Sequence, residues 1–440
     1  MRTLPISATG HGLRLTALAA TMAVFMAPSQ ARAQALNFCA DTALAGLDPA
    51  LHTTAPALKL GARQIFDRLV ENTGDGASVV PSLAVSWEVS SDGRQYTFKL
   101  RQGVVFHSVD NFKPTRELAP RDVVFSFQRQ ISKTDPFSPA QIYGAKNTAV
   151  KAGSLIGLIE TVEPVGDDMV RFTLKQPDSG FLTMLAMESA SILSAEYGAK
   201  LAKAGSPLLL DRVPVGTGPF KVAPTKTAKS KKKRRARKAA PYTGAPITEL
   251  NLVANGAYWR GAPTLGGLRI ITTPNPVARF VGIETGACQI AQRPAPADLA
   301  ALRAQPGVSV VEAGGTSVLY LAINTANKPF NDPWVRKALA KAIDRKALAK
   351  ATVQSARPTA SLTGDAGDLP VADTGAARGL LKGAGALGVS INLLVPSITP
   401  GNPGAIPAAI SDAWTQAGAK VTLVPVSWSQ LPTKLASANY

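Results

Sequence analysis

Segments with the periodicity of strands and segments with the periodicity of helices alternate along this chain, and this alternation restricts the possible folds more than any other feature. Gln95–Arg101 alternates apolar and polar side chains, which is typical of a half-buried strand. A helix is predicted from Pro333, because apolar residues follow it at helical spacing. The chain ends in a predicted strand, helix and strand at Ile391–Val395, Ala408–Ala417 and Val421–Val426. We therefore predict an α/β protein.

The same periodicities predict elements in the middle of the chain. Leu268–Thr272 and Leu319–Ile323 are predicted to be buried strands, and Ser154 to Leu174 is predicted to form two strands joined by a turn. The stretch from Phe181 to Ala202 is predicted to be helical with one apolar face. No internal repeat is visible.

Length and composition set the broad class. The 440 residues correspond to roughly two or three domains of about 150 residues each. Hydrophobic residues make up 45% of the chain, and the 37 glycines and 33 prolines predict many turns and short elements. This composition excludes a coiled coil, a collagen-like fibre and a wholly disordered chain.

Residues 1–35 are predicted to be an export signal. A basic leader precedes the apolar run Leu15–Ala27, Pro28 ends that run, and small residues allow cleavage near Ala33 or Ala35. The run is too short to span a hydrocarbon core of about 30 Å comfortably, and no other apolar stretch approaches the length of a membrane helix. We therefore expect an exported protein that does not span the membrane. The alternative is a buried N-terminal helix.

The chain has two cysteines, Cys39 and Cys288. They are too few for a disulfide scaffold or a four-cysteine zinc site. In an oxidising compartment they are expected to form a disulfide if their Cα atoms come within about 7 Å. The bond would then tie the first strand to a late element of the same lobe. The alternative is a pair of unpaired buried thiols.

The net charge of +19 is concentrated in one segment, because nine of the 48 basic residues lie in the run Lys226–Lys238. Such a run is typical of proteins that bind nucleic acid or an anionic membrane. No aromatic residues are interleaved for base stacking, so a solvated surface loop is preferred and no nucleic-acid partner is expected.

The residues that carry enzymatic chemistry are sparse. Beyond the export signal only His52 and His107 remain, and neither lies in a zinc-protease motif or a nucleophile elbow. The loop Pro214–Phe220 lacks the Lys-Ser/Thr of a phosphate-binding loop. No cluster of metal-ligand residues is visible. We therefore expect no enzymatic activity, no cofactor and no bound metal.

Several short segments match one protein family in order and spacing. The densest runs from Ser86 to His107 and begins Ser86-Trp87-Glu88-Val89-Ser90-Ser91-Asp92-Gly93. The others are Phe112–Leu118, Asp122–Phe127, Pro214–Phe220, Tyr258–Gly261, Val335–Leu339 and Ala342–Asp344. Together they resemble the extracytoplasmic solute-binding proteins of ABC transporters, in the peptide/nickel-binding family. The resemblance extends from Leu36 to the C-terminus, and the cysteine positions also resemble a pair that is bridged in family members.

The resemblance implies a bilobed periplasmic-binding-protein fold (type II-like), with two α/β lobes joined by a hinge. After the export signal, lobe I is expected at residues 36–313, with a small subdomain at about 76–213 and a basic insert at 226–238. Lobe II is expected at residues 314–440, with the hinge near Val311–Leu321. Family members continue for about another hundred residues, so lobe II is expected to be incomplete.

The resemblance also implies a function. Family members are periplasmic monomers that close on a small solute, here di- or oligopeptides, and deliver it to an inner-membrane permease. Two alternatives stay open: a truncated homologue that does not bind, or a relative that binds haem or nickel.

Ligand-binding residues are implied in both lobes. Thr53 and Thr54 lie in the loop after the first predicted strand, and Thr399, Asn402 and Trp428 lie in lobe II. Thr399 occupies the position at which dipeptide binders place an arginine for the ligand carboxylate, and a threonine does not provide a charged, bidentate contact. For each of these residues an ordinary loop or packing role is the alternative, and Trp428 in particular is a candidate to cap the core of its lobe.

Arg116 and Glu117 also match the family. They are expected to form a structural ion pair on the small subdomain rather than to contact ligand.

Overall fold

The structure is a computed structural model, and it describes the parts of the chain that contain the sheets and most of the helices. The described residues are 35–52, 56–74, 78–143, 155–224, 246–312, 318–352, 357–359, 371–396, 405–426 and 434–435. The predicted export signal lies outside them, except for Ala35, which already belongs to the first strand. The predicted basic insert at 226–238 also lies outside the described residues.

The strands of the described residues, numbered in chain order, are β1 Ala35–Ala40, β2 Val70–Asn72, β3 Val79–Pro81, β4 Ala84–Val89, β5 Gln95–Leu100, β6 Ile159–Val165, β7 Met169–Leu174, β8 Phe220–Val222, β9 Glu249–Ala254, β10 Gly267–Thr272, β11 Ile290–Ala291, β12 Ser390–Pro396 and β13 Lys420–Val426.

The α-helices are α1 Pro56–Ile65, α2 Pro120–Ile131, α3 Pro139–Tyr143, α4 Leu155–Leu158, α5 Phe181–Leu185, α6 Ala195–Lys203, α7 Pro276–Glu284, α8 Leu299–Ala304, α9 Pro333–Ala342, α10 Arg345–Thr352, α11 Thr374–Gly383 and α12 Ala405–Gln416. Within the described residues, no helix combines the length and the apolar character needed to cross a membrane.

A five-stranded sheet has the order β11-β1-β10-β9-β8. β1 runs parallel to both of its neighbours, with Phe38 opposite Ile270 on β10 and opposite Ile290 on β11. β9 pairs antiparallel with β10 and with β8. The carboxyl ends of β1, β10 and β11 therefore lie at one edge of this sheet.

Cys39 and Cys288 are joined by a disulfide, with their Cα atoms 5.9 Å apart. Cys39 lies on β1, and Cys288 lies two residues before β11, which pairs with β1. The predicted disulfide is therefore confirmed, and the alternative of two unpaired thiols is wrong. Closing so long a loop is expected to stabilise the fold by about 2–4 kcal/mol, mainly by restricting the unfolded chain.

A second sheet is antiparallel, with the order β4-β5-β7-β6. The predicted alternation on β5 is confirmed, because Tyr96, Phe98 and Leu100 are buried while their neighbours on the strand are more exposed. Phe172 of β7 contacts Phe98 and also Phe127 of α2, with ring centroids 5.7 and 4.9 Å apart. These aromatic contacts attach α2 to one face of the sheet.

The side chains buried by the two larger sheets form one continuous hydrophobic cluster, which extends from Phe38 to Ile270. A separate cluster extends from Val335 to Ala419 and is built from α9, α11, α12 and the parallel pair β12–β13. Trp414 of α12 anchors this second cluster by donating a hydrogen bond from Nε1 to the Leu339 carbonyl oxygen at 2.9 Å. The α/β class is confirmed, and two separate cores are consistent with a bilobed fold. The exact boundary at residues 313/314 stays a prediction.

Two predicted elements differ in the structure. Leu319–Ile323 is not a strand: among the described residues nothing pairs with it, and Leu319 and Tyr320 are 68% and 64% exposed. A short apolar run predicts a strand only if a partner strand is present, which periodicity does not reveal. The segment from Phe181 to Ala202 is not one helix, since α5 and α6 are separated by the buried stretch Ser191–Ser194.

Tertiary hydrogen bonds explain that break. The backbone N–H of Ile192 donates to the Asp67 carbonyl oxygen, and that of Leu193 donates to Oγ of Ser126 at 2.8 Å. Ser194 then begins α6 as an N-cap, its Oγ accepting from the N–H of Tyr197 at 3.2 Å. Contacts with distant segments therefore override a helical pattern here.

Candidate functional site

The residues predicted to bind ligand, Thr53, Thr54, Thr399, Asn402 and Trp428, all lie outside the described residues. The structure does describe the segments from which their loops begin. Residues 41–52 lead from β1 to Thr53, and α1 begins shortly after Thr54. Residue 399 follows β12, and residue 428 follows β13.

The buried carboxylate of Asp211 holds the segment before Thr53. Its Oδ1 accepts hydrogen bonds from the backbone N–H groups of Leu47 and Asp48, each at 2.9 Å. The same oxygen lies 2.9 Å from Nε2 of His52. Because Asp211 is 1% exposed, these contacts form in a region of low dielectric, where hydrogen bonds to a charged acceptor are strong. Asp211 therefore anchors the loop that leads to Thr53 and Thr54 at Leu47, Asp48 and His52.

Gly46 is required by this arrangement. A Cβ atom at position 46 would collide with the Asp211 carboxylate and with the ring of His52. Any larger residue would push the loop away from the carboxylate that holds it.

A buried ion pair ties the same loop to α2. The guanidinium of Arg129 donates from both terminal nitrogens to the carboxylate of Asp48, at 2.7 Å each. The side chains of Arg129 and Asp48 are only 1% and 2% exposed. Removing one partner of such a pair leaves an uncompensated buried charge and costs about 3–5 kcal/mol. The helix that packs on the antiparallel sheet thus also fixes the loop beside the five-stranded sheet.

The loop Pro214–Phe220 braces the C-terminal end of α1. The backbone N–H of Gly218 donates to the carbonyl oxygen of Ile65 at 2.9 Å, and a Cβ at Gly218 would lie 2.6 Å from the carbonyl oxygen of Gln64. The glycine is needed for this close approach. The loop therefore has a structural role.

His107 fastens this loop from the other side. Its Nε2 donates to the Gly218 carbonyl oxygen at 2.8 Å, and its backbone N–H donates to the Gly216 carbonyl oxygen at 2.8 Å. Burial lowers the pKa of His107 to about 4, since there is little water to solvate a charged ring. Nδ1 is buried and has no hydrogen-bond partner within the described chain. His107 is therefore a neutral structural residue.

A third buried acid, Asp67, organises the Tyr258–Gly261 motif. Its Oδ2 accepts from Nε1 of Trp259 at 2.9 Å and from the Thr217 hydroxyl at 2.8 Å. The indole ring of Trp259 contacts the guanidinium groups of Arg101 and Arg260, at 4.4 and 4.5 Å from the ring centroid. This family-like motif is thus explained by packing rather than by ligand binding.

The prediction that Arg116 forms an ion pair with Glu117 is wrong, because Arg116 has a different partner. Arg116 instead donates to both carboxylate oxygens of Asp122, at 2.5 and 2.8 Å, and this contact raises its pKa. Glu117 accepts from the backbone N–H of Gly103 at 2.7 Å. Asp122 is preferred because it is completely buried at the start of α2, where it also accepts from the N–H groups of Ala119 and Ala195. The role of Arg116 is nevertheless structural.

Sequence reasoning did not identify Asp48, Asp67 or Asp211 as important. Each is a single acid next to apolar residues, in the segments Gly46-Leu47-Asp48, Ile65-Phe66-Asp67 and Leu209-Leu210-Asp211. An acid directly after apolar residues is the signal that was available, since a buried carboxylate is rarely found without a partner.

The carboxyl edge of the five-stranded sheet presents a charged pair. Asp41 directly follows β1, Arg293 follows β11, and Nη1 of Arg293 donates to Oδ2 of Asp41 at 2.7 Å. In α/β sheets ligands bind outside the carboxyl ends of the strands. Thr53 and Thr54 belong to the loop after β1, while Thr399 and Asn402 follow β12. The predicted ligand-binding loops therefore begin at this kind of edge in both cores.

Enzyme-like chemistry is not apparent in the described segments. Nε2 of His52 contacts the carboxylate of Asp211, and Nε2 of His107 donates to a backbone carbonyl oxygen. No group of three His, Cys, Asp or Glu residues is arranged as metal ligands in that part of the chain.

Comparison with protein families gives one match that covers most of the chain. The model for bacterial extracellular solute-binding proteins, family 5 (middle region), matches residues 78–440. Di/tripeptide-binding protein 2 of Pseudomonas aeruginosa is 36% identical, over 99% of this chain and 79% of its own length. Heme-binding protein A of Haemophilus influenzae is 34% identical, over 89% of this chain and 70% of its own length.

A solved structure supports the same assignment. The dipeptide-binding protein of Pseudoalteromonas sp. SM9913, determined in complex with Met-Leu, superposes with a TM-score of 0.76 at 27% identity, over 92% of this chain and 78% of that one. Sequence and fold thus agree over nearly the whole length. The chain belongs to family 5 of the bacterial extracellular solute-binding proteins.

Proposed function

We propose that this protein is the solute-binding component of an ABC transporter and that it captures di- or oligopeptides. One observation carries the proposal: a di/tripeptide-binding protein is 36% identical over 99% of the chain. The likeness to a dipeptide-binding protein in complex with Met-Leu adds support from the fold. Members of this family are transport proteins rather than enzymes, so we propose no catalytic activity.

The mechanism is differential affinity. A peptide that contacts both lobes only in the closed state shifts the open–closed equilibrium towards closure, and an inner-membrane permease then recognises the closed form. The two separate hydrophobic cores support lobes at residues 36–313 and 314–440. The high exposure of Val311, at 86%, and of Leu319, at 68%, supports a hinge between Val311 and Leu321, since exposed segments open at low cost in free energy.

The proposed ligand contacts are Thr53 and Thr54 from lobe I and Thr399, Asn402 and Trp428 from lobe II. Support comes from the strands that precede them, because each residue belongs to a loop that begins at the carboxyl end of a parallel strand. The rigid segment up to His52, held by Asp211 and Arg129, provides a fixed base for the two threonines. Preorganisation of this kind reduces the entropy lost on binding.

We further propose that the protein acts in the periplasm as a monomer. The apolar run Leu15–Ala27 and the small residues near Ala33 support export, and the disulfide suits an oxidising compartment.

Ligand-induced thermal stabilisation tests the proposal. We expect Met-Leu and longer peptides to raise the melting temperature, because a ligand at about 100 times its Kd stabilises the native state by about 2.7 kcal/mol. The constituent free amino acids serve as the control and are expected to have little effect. A melting temperature that is unchanged by peptides at millimolar concentration would contradict peptide capture.

Haem is the second candidate, because Heme-binding protein A is 34% identical over 89% of the chain. Its test is a haem titration with and without Met-Leu. Saturable haem binding together with a flat response to peptides would favour haem capture. Haem binding that peptide displaces would place both ligands in one cleft.

A further inference from the structure

Arg293 occupies an unusual place at the carboxyl edge of the five-stranded sheet. It lies two residues beyond β11, next to the position where β1 ends and the ligand loop begins. β1 and β11 are parallel neighbours, so the residues that follow them come together. Nη1 of Arg293 reaches Oδ2 of Asp41 at 2.7 Å as a result.

The backbone of Arg293 adopts a conformation that side chains generally avoid. Its φ is +46°, and among the described residues it is the one non-glycine residue with a positive φ. Such a conformation costs about 1–2 kcal/mol and persists only where the surroundings impose it. Residues of this kind occur preferentially at binding sites.

Arg279 imposes this conformation. It is 4% exposed, and its guanidinium donates to the backbone carbonyl oxygens of Thr273, Pro274, Gln292 and Arg293 at 2.6–2.8 Å. A buried arginine thus joins the segments that follow β10 and β11. The backbone conformation at Arg293 is therefore fixed by hydrogen bonds from Arg279.

The guanidinium of Arg293 keeps free donors. Its side chain is 38% exposed, whereas that of Asp41 is 11% exposed. Within the described chain only Nη1 makes a hydrogen bond, which leaves Nε and Nη2 without a partner. These two nitrogens form the side of the guanidinium that binds a carboxylate with two parallel hydrogen bonds.

We propose that Arg293 binds the C-terminal carboxylate of the peptide, an assignment that rests on the proposed peptide-binding function. Thr399 carries no charge with which to bind that carboxylate. Arg293 supplies a cation from the other lobe, at the edge where the loop of Thr53 and Thr54 begins. Asp41 acts as a positioning residue, because it holds one end of the guanidinium and leaves the other end open.

The test measures affinity for Met-Leu and for its C-terminal amide by isothermal titration calorimetry. We expect the wild type to bind the free acid roughly 30-fold more tightly than the amide, as befits two charge-assisted hydrogen bonds. Arg293→Gln is expected to lower affinity for the acid by roughly 30-fold and to leave affinity for the amide nearly unchanged. Arg293→Lys keeps the charge but loses the two parallel hydrogen bonds. Its affinity for the acid is expected to lie between those of the wild type and of Arg293→Gln.

Arg269→Gln is the matched control. Arg269 also lies on this sheet in an exposed pair, with Glu249 at 3.0 Å, but in the middle of β10 rather than at its carboxyl end. The Arg269→Gln variant is expected to have the same affinity as the wild type for both the acid and the amide.

Equal loss of affinity for both peptides in Arg293→Gln, or no loss for the acid, would overturn the assignment. If that variant does not fold, the wild type decides alone, since equal affinity for acid and amide would also overturn it. A wild type that binds neither peptide would refute peptide capture itself, and the assignment with it.

Discussion

Buried titratable side chains carry the most specific information at the level of single residues. Asp211, Asp48 and Asp67 each hold a loop by accepting hydrogen bonds from distant segments. His107 differs from them, because it is buried as a neutral base with a single ring hydrogen bond. Its titration therefore has a measurable effect on stability.

We expect stability to fall as the pH is lowered from about 6.5 towards 4. Burial lowers the pKa of folded His107 to about 4, whereas the unfolded chain titrates near 6.5, so the unfolded state binds more protons between these values. The contribution of His107 is complete above the unfolded pKa and is lost as the pH falls through the folded pKa. Its size is on the order of 2 kcal/mol between pH 7.5 and 5.

Urea unfolding at these two pH values measures the effect. The control is His107→Gln, whose amide nitrogen is able to donate to the Gly218 carbonyl oxygen but does not titrate. This variant is expected to lose less stability on acidification than the wild type, by about the same 2 kcal/mol. An identical pH dependence in both proteins would argue against the buried neutral histidine.

Elements in this fold are held together by close backbone contacts as well as by side chains. The loop Pro214–Phe220 crosses the end of α1 at a distance that only glycine allows, and Gly46 plays a similar part beside Asp211. Because α1 directly follows the proposed ligand threonines, its position influences the binding loop.

Gly218→Ala is therefore expected to be destabilising by about 1–3 kcal/mol, because the new methyl group would lie against the backbone of Gln64 and Ile65. Gly256→Ala is the matched control, since nothing lies within 4 Å of a Cβ at that position. Its effect is expected to stay within about 0.5 kcal/mol. Chemical denaturation of the two variants measures the difference, and equal stabilities would contradict the close contact.

At the scale of the whole molecule, the basic run separates two strands of the five-stranded sheet along the sequence. Residues 226–238 lie between β8 and β9. These two strands pair with each other, and Val222 of β8 lies opposite Leu252 of β9. The paired residues of these strands all lie outside the run. The run is therefore dispensable for folding if it is a solvated loop.

Deletion of residues 226–238 is expected to leave the melting temperature and the peptide affinity unchanged. Both are measured on the same preparation, in low and in physiological salt. A loss of several degrees would indicate that the run packs on the fold. A salt-dependent loss of affinity for Met-Leu would instead indicate a role in recognition.

How much of the structure was predictable depends on the distance over which each signal acts. Strand β5, the helix from Pro333 and the final strand–helix–strand unit follow from local periodicity, and the structure confirms them. The break before Ser194 and the missing strand at Leu319–Ile323 did not follow, because each depends on a partner elsewhere in the chain. Arg116 pairs with Asp122 rather than with the predicted Glu117 for the same reason, since burial decides between two nearby acids.

The sequence by itself determined the α/β class, the order of the main elements and the family, because hydrophobic periodicity and short motifs are local properties of the chain. It also pointed to the cysteine pair, through the expectation of an oxidising compartment. Only the tertiary structure decided which acid holds which loop and which arginine lies at the carboxyl edge of the sheet. The Asp211–Asp48 contact joins residues 163 positions apart, and the disulfide joins residues 249 apart. Such contacts form because burial brings distant segments into one low-dielectric core, and no local pattern encodes that choice of partner.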